Sequence, residues 1–271
     1  MTHRPLPLAA VEDETAYGGK AVALGTALRS GLPVPPGIAL PAGLVAELCC
    51  ERLARDVVRA VAEQQPGPLA VRSSAVGEDG ATSSFAGQHL TVLNLENPDA
   101  IVDAVVRVAA SASSPSAVAY RRARGDASVP RCGVVLQRLV PAVAAGVLFS
   151  VDPVTGADEL VVEASWALGE AVVEGLVIPD RFRLDRDGRV VEQVIGHKDR
   201  AVVPRPGGGT ATVDVGPERS RQPCLGPEEL RTLADLARRC DRVFGGPSDL
   251  EWACADGAVS LLQRRPITVL C

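Results

Sequence analysis

A carboxylate, an amide and a guanidinium lie close together in sequence near the end of this 271-residue chain. Glu251 falls in one apolar run, and Gln263 and Arg265 fall in the next, with Asp256-Gly257 between the runs. An Asp-Gly pair between two apolar segments favours a tight turn, so the pattern predicts a β-hairpin over residues 249–268. Gathered on one sheet face, these side chains would seat a divalent cation and a polyphosphate.

Whether Glu251 and Gln263 share a face depends on the length of the hairpin loop. Directly opposed residues in an antiparallel pair share a face, and side chains alternate along each strand. The two residues therefore need a loop with an odd number of residues. We expect a three-residue loop, residues 255–257, with Gly257 in the left-handed conformation, because a two-residue Asp-Gly turn would place them on opposite faces. The competing interpretation is an ordinary sheet edge with scattered polar residues.

Two upstream segments carry cations in settings that suit an anion. Gly18 and Gly19 precede Lys20 at the start of a short helix that we expect to end near residue 31, and such a start leaves amide groups to face an anion. Arg72 ends a short strand and leads into a small, polar, glycine-containing loop, residues 73–87, which is a candidate lid. Arg72 would then clamp a phosphate while the loop closes. An ordinary helix start and a serine-rich surface loop are the alternatives.

Lysine is rare in this chain, which has 26 arginines but only Lys20 and Lys198. Arginine has taken nearly every position where any cation is sufficient. The two lysines therefore mark places where a compact ammonium is needed, as at a phosphate. A codon-biased genome is the alternative explanation.

The remaining composition indicates a globular cytoplasmic protein. The chain is 46% hydrophobic, enough for a large core, and its formal charge of −5 gives no general attraction to nucleic acid. Seven cysteines, an odd number without a C-x-x-C pair, indicate reduced thiols rather than disulfides or a zinc site. No uncharged apolar run approaches the length of a membrane span. We expect neither nucleic acid nor membrane as a partner.

Helices and strands are both expected along the rest of the chain, without an internal repeat. Apolar periodicity predicts helices over residues 43–64, 99–124 and 227–244. Short β-branched runs predict strands over residues 69–72, 134–140, 147–151, 160–164, 182–184 and 190–195. Residues 207–223 are expected to form a loop or a ragged hairpin.

Six segments together resemble the N-terminal nucleotide-binding domain of the phosphoenolpyruvate synthase, pyruvate phosphate dikinase and rifampicin phosphotransferase group. They occur in the family's order and span residues 18–268. The segments are GGKAVALGTALRSGLPVPPG, AVRSSAVGEDGATSSFAGQ, QRLVPAVAAGVLFSVDPVTG, VVEASWALGEAVVEG, PDRFRLDR and DLEWACADGAVSLLQRRPIT. The resemblance implies an α+β ATP-grasp fold, a single unit of two lobes over residues 1–271 with ATP bound between them, and Mg²⁺ as a cofactor.

The resemblance also implies which side chains bind the nucleotide. Lys20 and Arg72 match residues that bind the ATP phosphates. Arg121 matches an arginine near the transferred phosphoryl group. Gln137 falls in the strand that lines the adenine pocket, and Lys198 lies where the family often has a lysine.

The hairpin residues match the metal site of the family. Glu251 and Gln263 match the magnesium ligands, and Arg265 matches the phosphate-binding arginine beside them. With Arg72 and Arg121, Arg265 would be catalytic, because phosphoryl transfer depends mainly on positioning and on neutralising the spreading negative charge.

Family members of known activity carry a swivelling phosphohistidine domain, and nothing after Thr268 would form one. A smaller departure is Ala145, which stands where serine is common. We expect a phosphotransferase component that cleaves Mg-ATP and passes a phosphoryl or pyrophosphoryl group to a histidine domain on a separate partner, and then to a small-molecule acceptor. The alternatives are a direct ATP-dependent small-molecule kinase or ligase, a non-catalytic nucleotide-binding regulatory module, or a piece of a longer enzyme.

Overall fold

The computed structural model describes residues 4–48, 50–76, 90–112 and 131–267, and the chain divides into two compact units. The first unit comprises residues 1–26, 36–139 and 205–209, and the second comprises residues 27–35, 140–204 and 210–271. Each unit is built on its own antiparallel sheet with helices packed against it. The predicted α+β class is therefore confirmed.

The first unit contains a five-stranded sheet with the strand order β1-β2-β5-β3-β4. Its strands are β1 (Leu6–Pro7), β2 (Gly37–Leu40), β3 (Leu69–Ala75), β4 (Thr91–Leu95) and β5 (Cys132–Arg138). The described helices that begin in this unit are α1 (Glu14–Tyr17), α2 (Gly19–Arg29), α3 (Ala42–Glu47), α4 (Arg52–Glu63) and α5 (Pro98–Ser111).

One face of the first sheet is covered by helices. Val71 and Leu136 belong to a buried cluster with Val45 of α3, Val58 of α4 and Val105 of α5. Side chains alternate along a strand, so the residues next to Val71 on β3 lie on the opposite face. Helices α3, α4 and α5 therefore cover the first face of β3 and β5 and leave the second face to other groups.

The helix boundaries follow from local capping. Asn97 caps α5 by accepting hydrogen bonds from the backbone N–H groups of Asp99 and Ala100. The single helix expected over residues 43–64 is instead α3 and α4, because Glu51 takes an extended conformation between them. The helix expected over residues 99–124 is confirmed up to Ser111, and residues 113–124 lie outside the described part of the chain.

The second unit contains a six-stranded sheet with the order β13-β12-β6-β7-β8-β9, and a separate hairpin of β10 and β11. Its strands are β6 (Ala144–Phe149), β7 (Leu160–Trp166), β8 (Asp180–Leu184), β9 (Val190–Val194), β10 (Arg200–Pro204), β11 (Thr210–Asp214), β12 (Ser248–Ala255) and β13 (Ala258–Pro266). Its described helices are α6 (Glu170–Val173) and α7 (Pro227–Phe244). In place of the loop or ragged hairpin expected over residues 207–223, the structure has an ordered hairpin that begins earlier, with β10, and ends with β11 at Asp214.

The two faces of the six-stranded sheet differ in polarity. Leu250, Leu148, Val162 and Phe182 form one row of directly paired residues across four strands, and all are buried. Helix α7 lies on that apolar face, where the hydroxyl of Ser150 donates to its Asp241 side chain.

The adjacent row of paired residues lies on the opposite face of the same sheet. It consists of Glu251, Val147, Glu163 and Arg181. The sheet thus has an apolar face that builds the core and a polar face that is available for chemistry.

The described cysteines are all free thiols. Burial raises the pKa of Cys240 to about 12 and raises the pKa of Cys224 strongly as well, so both thiols stay protonated near neutral pH. No described helix is both long enough and apolar enough to cross a membrane.

Candidate functional site

The hairpin of β12 and β13 closes with a two-residue turn. Ala255 pairs with Ala258, and the two residues between them, Asp256 and Gly257, have φ values of 51° and 75°. Positive φ at both central positions is typical of a type I′ turn, whose twist matches that of the flanking strands. The left-handed conformation of Gly257 is confirmed, but the predicted three-residue loop is wrong.

A β-bulge nevertheless places Glu251 opposite Gln263. The register shifts between Glu251 and Trp252: Trp252 pairs with Leu261, whereas Glu251 pairs with Gln263. Leu262 is therefore an extra residue on β13, and it offsets the change of face that the two-residue turn would impose. The carboxylate and the amide share one face, as predicted, but through a bulge rather than through the loop.

Arg265 completes this cluster. Its Nη2 lies 3.7 Å from Oε1 of Glu251, and the two side chains are only 18% and 17% exposed. Gln263 is buried. Asp249, directly opposite Arg265, adds a second carboxylate to the same face. The sequence prediction missed Asp249, although its spacing of two residues from Glu251 on a strand would have identified it.

The residues of this cluster fit a magnesium ion that is shared with phosphate. Within the described part of the chain, no group of three or more His, Cys, Asp or Glu side chains would hold a metal by itself. Magnesium is commonly held by one or two carboxylates together with water and substrate phosphates. Glu251 and Gln263 would supply oxygen ligands of that kind, and Arg265 beside them has the planar fork of donors that suits a phosphate.

Arg72 and Gln137 share the face of the first sheet that lies opposite the buried cluster with α3, α4 and α5. Arg72 pairs with Val135 and Gln137 is two residues further along β5, so both side chains lie on the face opposite Val71. Arg72 is only 8% exposed, and Gln137 is also buried. Thr91 of β4 lies directly opposite Arg72. Thr91 was missed because β4 itself was not predicted.

Lys20 is the second residue of α2 and is 4% exposed. The N–H of the next residue, Ala21, donates to the Ser74 hydroxyl at 3.0 Å, so the helix begins against β3 close to Arg72. Neighbouring segments of the first unit thus carry two buried cations, Lys20 and Arg72.

Lys198 lies elsewhere, in a buried ion pair of the second unit. Its Nζ donates to Asp180 at 2.5 Å and to the Ser220 carbonyl at 3.3 Å, and the Lys198 and Asp180 side chains are both 0% exposed. Asp180 also accepts hydrogen bonds from the N–H groups of Gly196 and Cys224. This network gives Lys198 a structural role, and its contact with a nucleotide stays a prediction.

The positions of two parts of the predicted site are not described by the structure. Arg121 and residues 77–87 of the candidate lid lie outside the described residues. The prediction that Arg72 ends the strand and that the loop begins at residue 73 is wrong, because β3 continues to Ala75. The structure therefore brings together Lys20, Arg72 and Gln137 in the first unit, and Glu251, Gln263 and Arg265 in the second.

Comparison with known proteins identifies the family of this chain. The chain matches the family model described as pyruvate phosphate dikinase, AMP/ATP-binding domain, over residues 47–271. It is 38% identical to the prodigiosin synthesizing transferase PigC of Serratia marcescens over 93% of this chain. It is 40% identical to a probable phosphoenolpyruvate synthase of Methanothermobacter thermautotrophicus over 82% of this chain, and 42% identical to the rifampicin phosphotransferase of Streptomyces sviceus over 80%.

The match covers only part of each relative. The chain spans 31% of the first two relatives and 25% of the third. The family model nevertheless covers most of this chain, from the end of α3 through the β12–β13 hairpin. This chain belongs to the pyruvate phosphate dikinase AMP/ATP-binding domain family.

Proposed function

We propose that this chain binds Mg-ATP and takes part in cleaving it, passing a phosphoryl or pyrophosphoryl group to a histidine on a separate partner and then to a small-molecule acceptor. The observation that carries this proposal is the bulge that sets Glu251 opposite Gln263, with Arg265 3.7 Å from Glu251. Family membership and the α+β architecture support an ATP-grasp domain.

The roles of the cations follow from their charge and burial. Lys20 and Arg72 would bind phosphate oxygens, the lysine as a compact point charge and the arginine as a planar fork of donors. Arg265 has a planar guanidinium group beside Glu251, and this group would bind a phosphate that is also bound to the metal. Arg121 would neutralise charge on the transferred group.

The remaining site residues, Gln137, Glu251 and Gln263, would fix the two ends of the nucleotide. The buried Gln137 amide both donates and accepts hydrogen bonds, which suits the edge of an adenine. Glu251 and Gln263 would hold Mg²⁺, which when bound neutralises the developing phosphate charge. No nucleophilic side chain of this domain is required, because the acceptor histidine belongs to the partner.

Calorimetric titration with ATP tests the metal ligands. We expect Glu251→Gln to weaken Mg-ATP binding about tenfold or more, because a metal ligand is lost. Binding of ATP in EDTA should not weaken, because the substitution also releases Arg265 from its ion pair and removes a negative charge beside the phosphates. Glu192→Gln is the matched control, since Glu192 lies at the far edge of the same sheet and pairs with Arg183. Equal Mg-ATP affinity in the wild-type chain and Glu251→Gln would refute the metal assignment.

The nucleotide product distinguishes the proposed reaction from its alternatives. With a histidine-domain partner and an acceptor, we expect chromatography to detect AMP, as in a dikinase-type split. ADP would support a direct kinase or ligase instead. Tight binding without turnover in the presence of any partner would favour a regulatory module.

A further inference from the structure

Ser74 joins the end of β3 to the first turn of α2. The side chain is 0% exposed, and its hydroxyl accepts a hydrogen bond of 3.0 Å from the backbone N–H of Ala21. Ala21 is the third residue of α2, where an N–H group has no partner within the helix. A single hydroxyl therefore supplies an acceptor for the helix start and ties it to a strand 53 residues away in sequence.

Two glycines allow a close approach at this joint, which is the contact between Ser74 of β3 and the start of α2. At Gly18, a Cβ atom would lie 1.8 Å from the Ser74 carbonyl oxygen and 2.6 Å from its hydroxyl, and φ is 81°. Gly133 lies directly opposite Ser74 on β5, and a Cβ there would lie 2.5 Å from the Tyr17 carbonyl oxygen. The connection between α1 and α2 therefore packs directly against β3 and β5, which leaves no space for a side chain at either glycine.

The joint is adjacent to two buried cations of the first unit, Lys20 and Arg72. Arg72 is two residues before Ser74 on β3, so the two side chains share a face. Lys20 immediately precedes Ala21. The Ser74–Ala21 hydrogen bond thus fixes the backbone that carries Lys20 relative to the strand that carries Arg72.

We propose that Ser74 is a positioning residue that sets the spacing of Lys20 and Arg72 for the phosphate groups of a bound nucleotide. This inference rests on the proposed function, because it assigns both cations to phosphate. Preorganised cations bind a polyanion more tightly than mobile ones, since less freedom is lost on binding. Loss of the Ser74 hydroxyl should therefore weaken binding in proportion to the number of phosphates.

Ser73 provides a matched control on the same strand. It is also 0% exposed, but it lies on the opposite face of β3, and within the described part of the chain its hydroxyl has no hydrogen-bond partner. Ser73→Ala removes the same atom from an equally buried position. It leaves the Ser74–Ala21 bond in place.

The test titrates ATP and AMP, each with magnesium, into the wild-type chain, Ser74→Ala and Ser73→Ala. We expect Ser74→Ala to lower ATP affinity about tenfold with little change in AMP affinity, because a buried hydrogen bond of this kind contributes roughly that factor. Ser73→Ala should retain both affinities. Ser74→Cys, which keeps a weak acceptor, should fall between the two and serves if Ser74→Ala does not fold.

Hydrogen exchange at the Ala21 amide gives a second readout that does not depend on nucleotide. We expect faster exchange in Ser74→Ala than in Ser73→Ala. If the wild-type chain binds ATP and the two alanine variants bind it equally, the positioning role is wrong. If the wild-type chain does not bind ATP, the proposed function fails. Faster exchange at Ala21 in Ser74→Ala would then still show that the Ser74–Ala21 hydrogen bond holds the start of α2, but not that it positions cations for phosphate.

Discussion

At the scale of single residues, two buried serines of the second unit differ in whether their hydroxyl groups are bonded. The Ser150 hydroxyl donates to Asp241 at 2.8 Å and accepts from the Ser248 N–H at 2.8 Å. The Ser165 hydroxyl is buried on the polar face of the sheet and has no partner among the described residues. It lies opposite Ala145, the position at which the family commonly has serine.

This difference predicts that alanine substitution at the two serines has different effects on the free energy of unfolding. Removing the Ser165 hydroxyl removes a desolvation cost without breaking a bond, so Ser165→Ala should leave the free energy of unfolding unchanged or raise it by about 1 kcal/mol. Ser150→Ala should lower it by about 1–3 kcal/mol, because two bonded groups lose their partner. Urea denaturation of both variants measures the difference. A loss in Ser165→Ala as large as that in Ser150→Ala would show that its hydroxyl is bonded in solution.

The two lysines show how far residue type alone can predict a role. Their rarity marked both Lys20 and Lys198 as special, and both are indeed buried. Their different surroundings were not predictable, because the partner of Lys198 is Asp180, on a strand whose pairing no local pattern specifies. A rare residue type indicates a constrained position but does not identify the constraint.

At the scale of elements, the bulge at Leu262 determines which face Gln263 occupies. Deleting Leu262 removes the extra residue and leaves Gln263 opposite Glu251, because the register then runs regularly from the two-residue turn. Inserting one alanine between Leu262 and Gln263 adds a further residue and moves Gln263 to the other face unless the bulge widens.

These two changes should therefore have unequal effects on Mg-ATP binding. We expect the deletion to keep the affinity within about threefold and the insertion to lower it about tenfold or more, as expected when a metal ligand is lost. Calorimetric titration of both variants, with circular dichroism to confirm folding, measures the effect. Equal loss in both would mean that the bulge itself, rather than the register, is required.

Element boundaries were predictable where one pattern is strong. The helix expected over residues 227–244 is α7, with Pro227 in its first turn and Gly245 in the left-handed conformation after its end. Strand β4 was missed, because Asn94 has a φ of 59° and the register with β3 is irregular there, which breaks the alternation of side chains. The bulge was also unpredictable, since Leu261 and Leu262 are identical and either would suit the apolar face.

At the scale of the whole molecule, the fold class and the family were accessible from the order of motifs, but the division of the chain was not. Residues 27–35 belong to the second unit although they follow the start of α2 in the first. Within that stretch, the Pro33 carbonyl accepts a hydrogen bond from the N–H of Leu261. Local composition does not predict a hydrogen-bond partner that lies 228 residues away in the chain.

This division puts one lysine in each unit, which allows the stability of each unit to be followed separately. Lys20 belongs to the first unit and Lys198 to the second, and their side chains are buried in the folded chain. An amine-acylating reagent should therefore label neither lysine rapidly until its own unit unfolds. Arginine does not react, so mass spectrometry of the labelled chain across a urea series gives one midpoint for each lysine.

Asp180→Asn should lower the midpoint for Lys198 and leave that for Lys20 unchanged. The substitution leaves a fully buried ammonium without its counter-charge, and breaking a buried pair in this way costs about 3–5 kcal/mol. Asp158→Asn is the control, because its partner Arg186 lies at the surface and Asp158 is largely exposed. If Asp180→Asn lowers both midpoints together, the two units unfold as one cooperative body, and the independent cores of the two sheets do not confer independent stability.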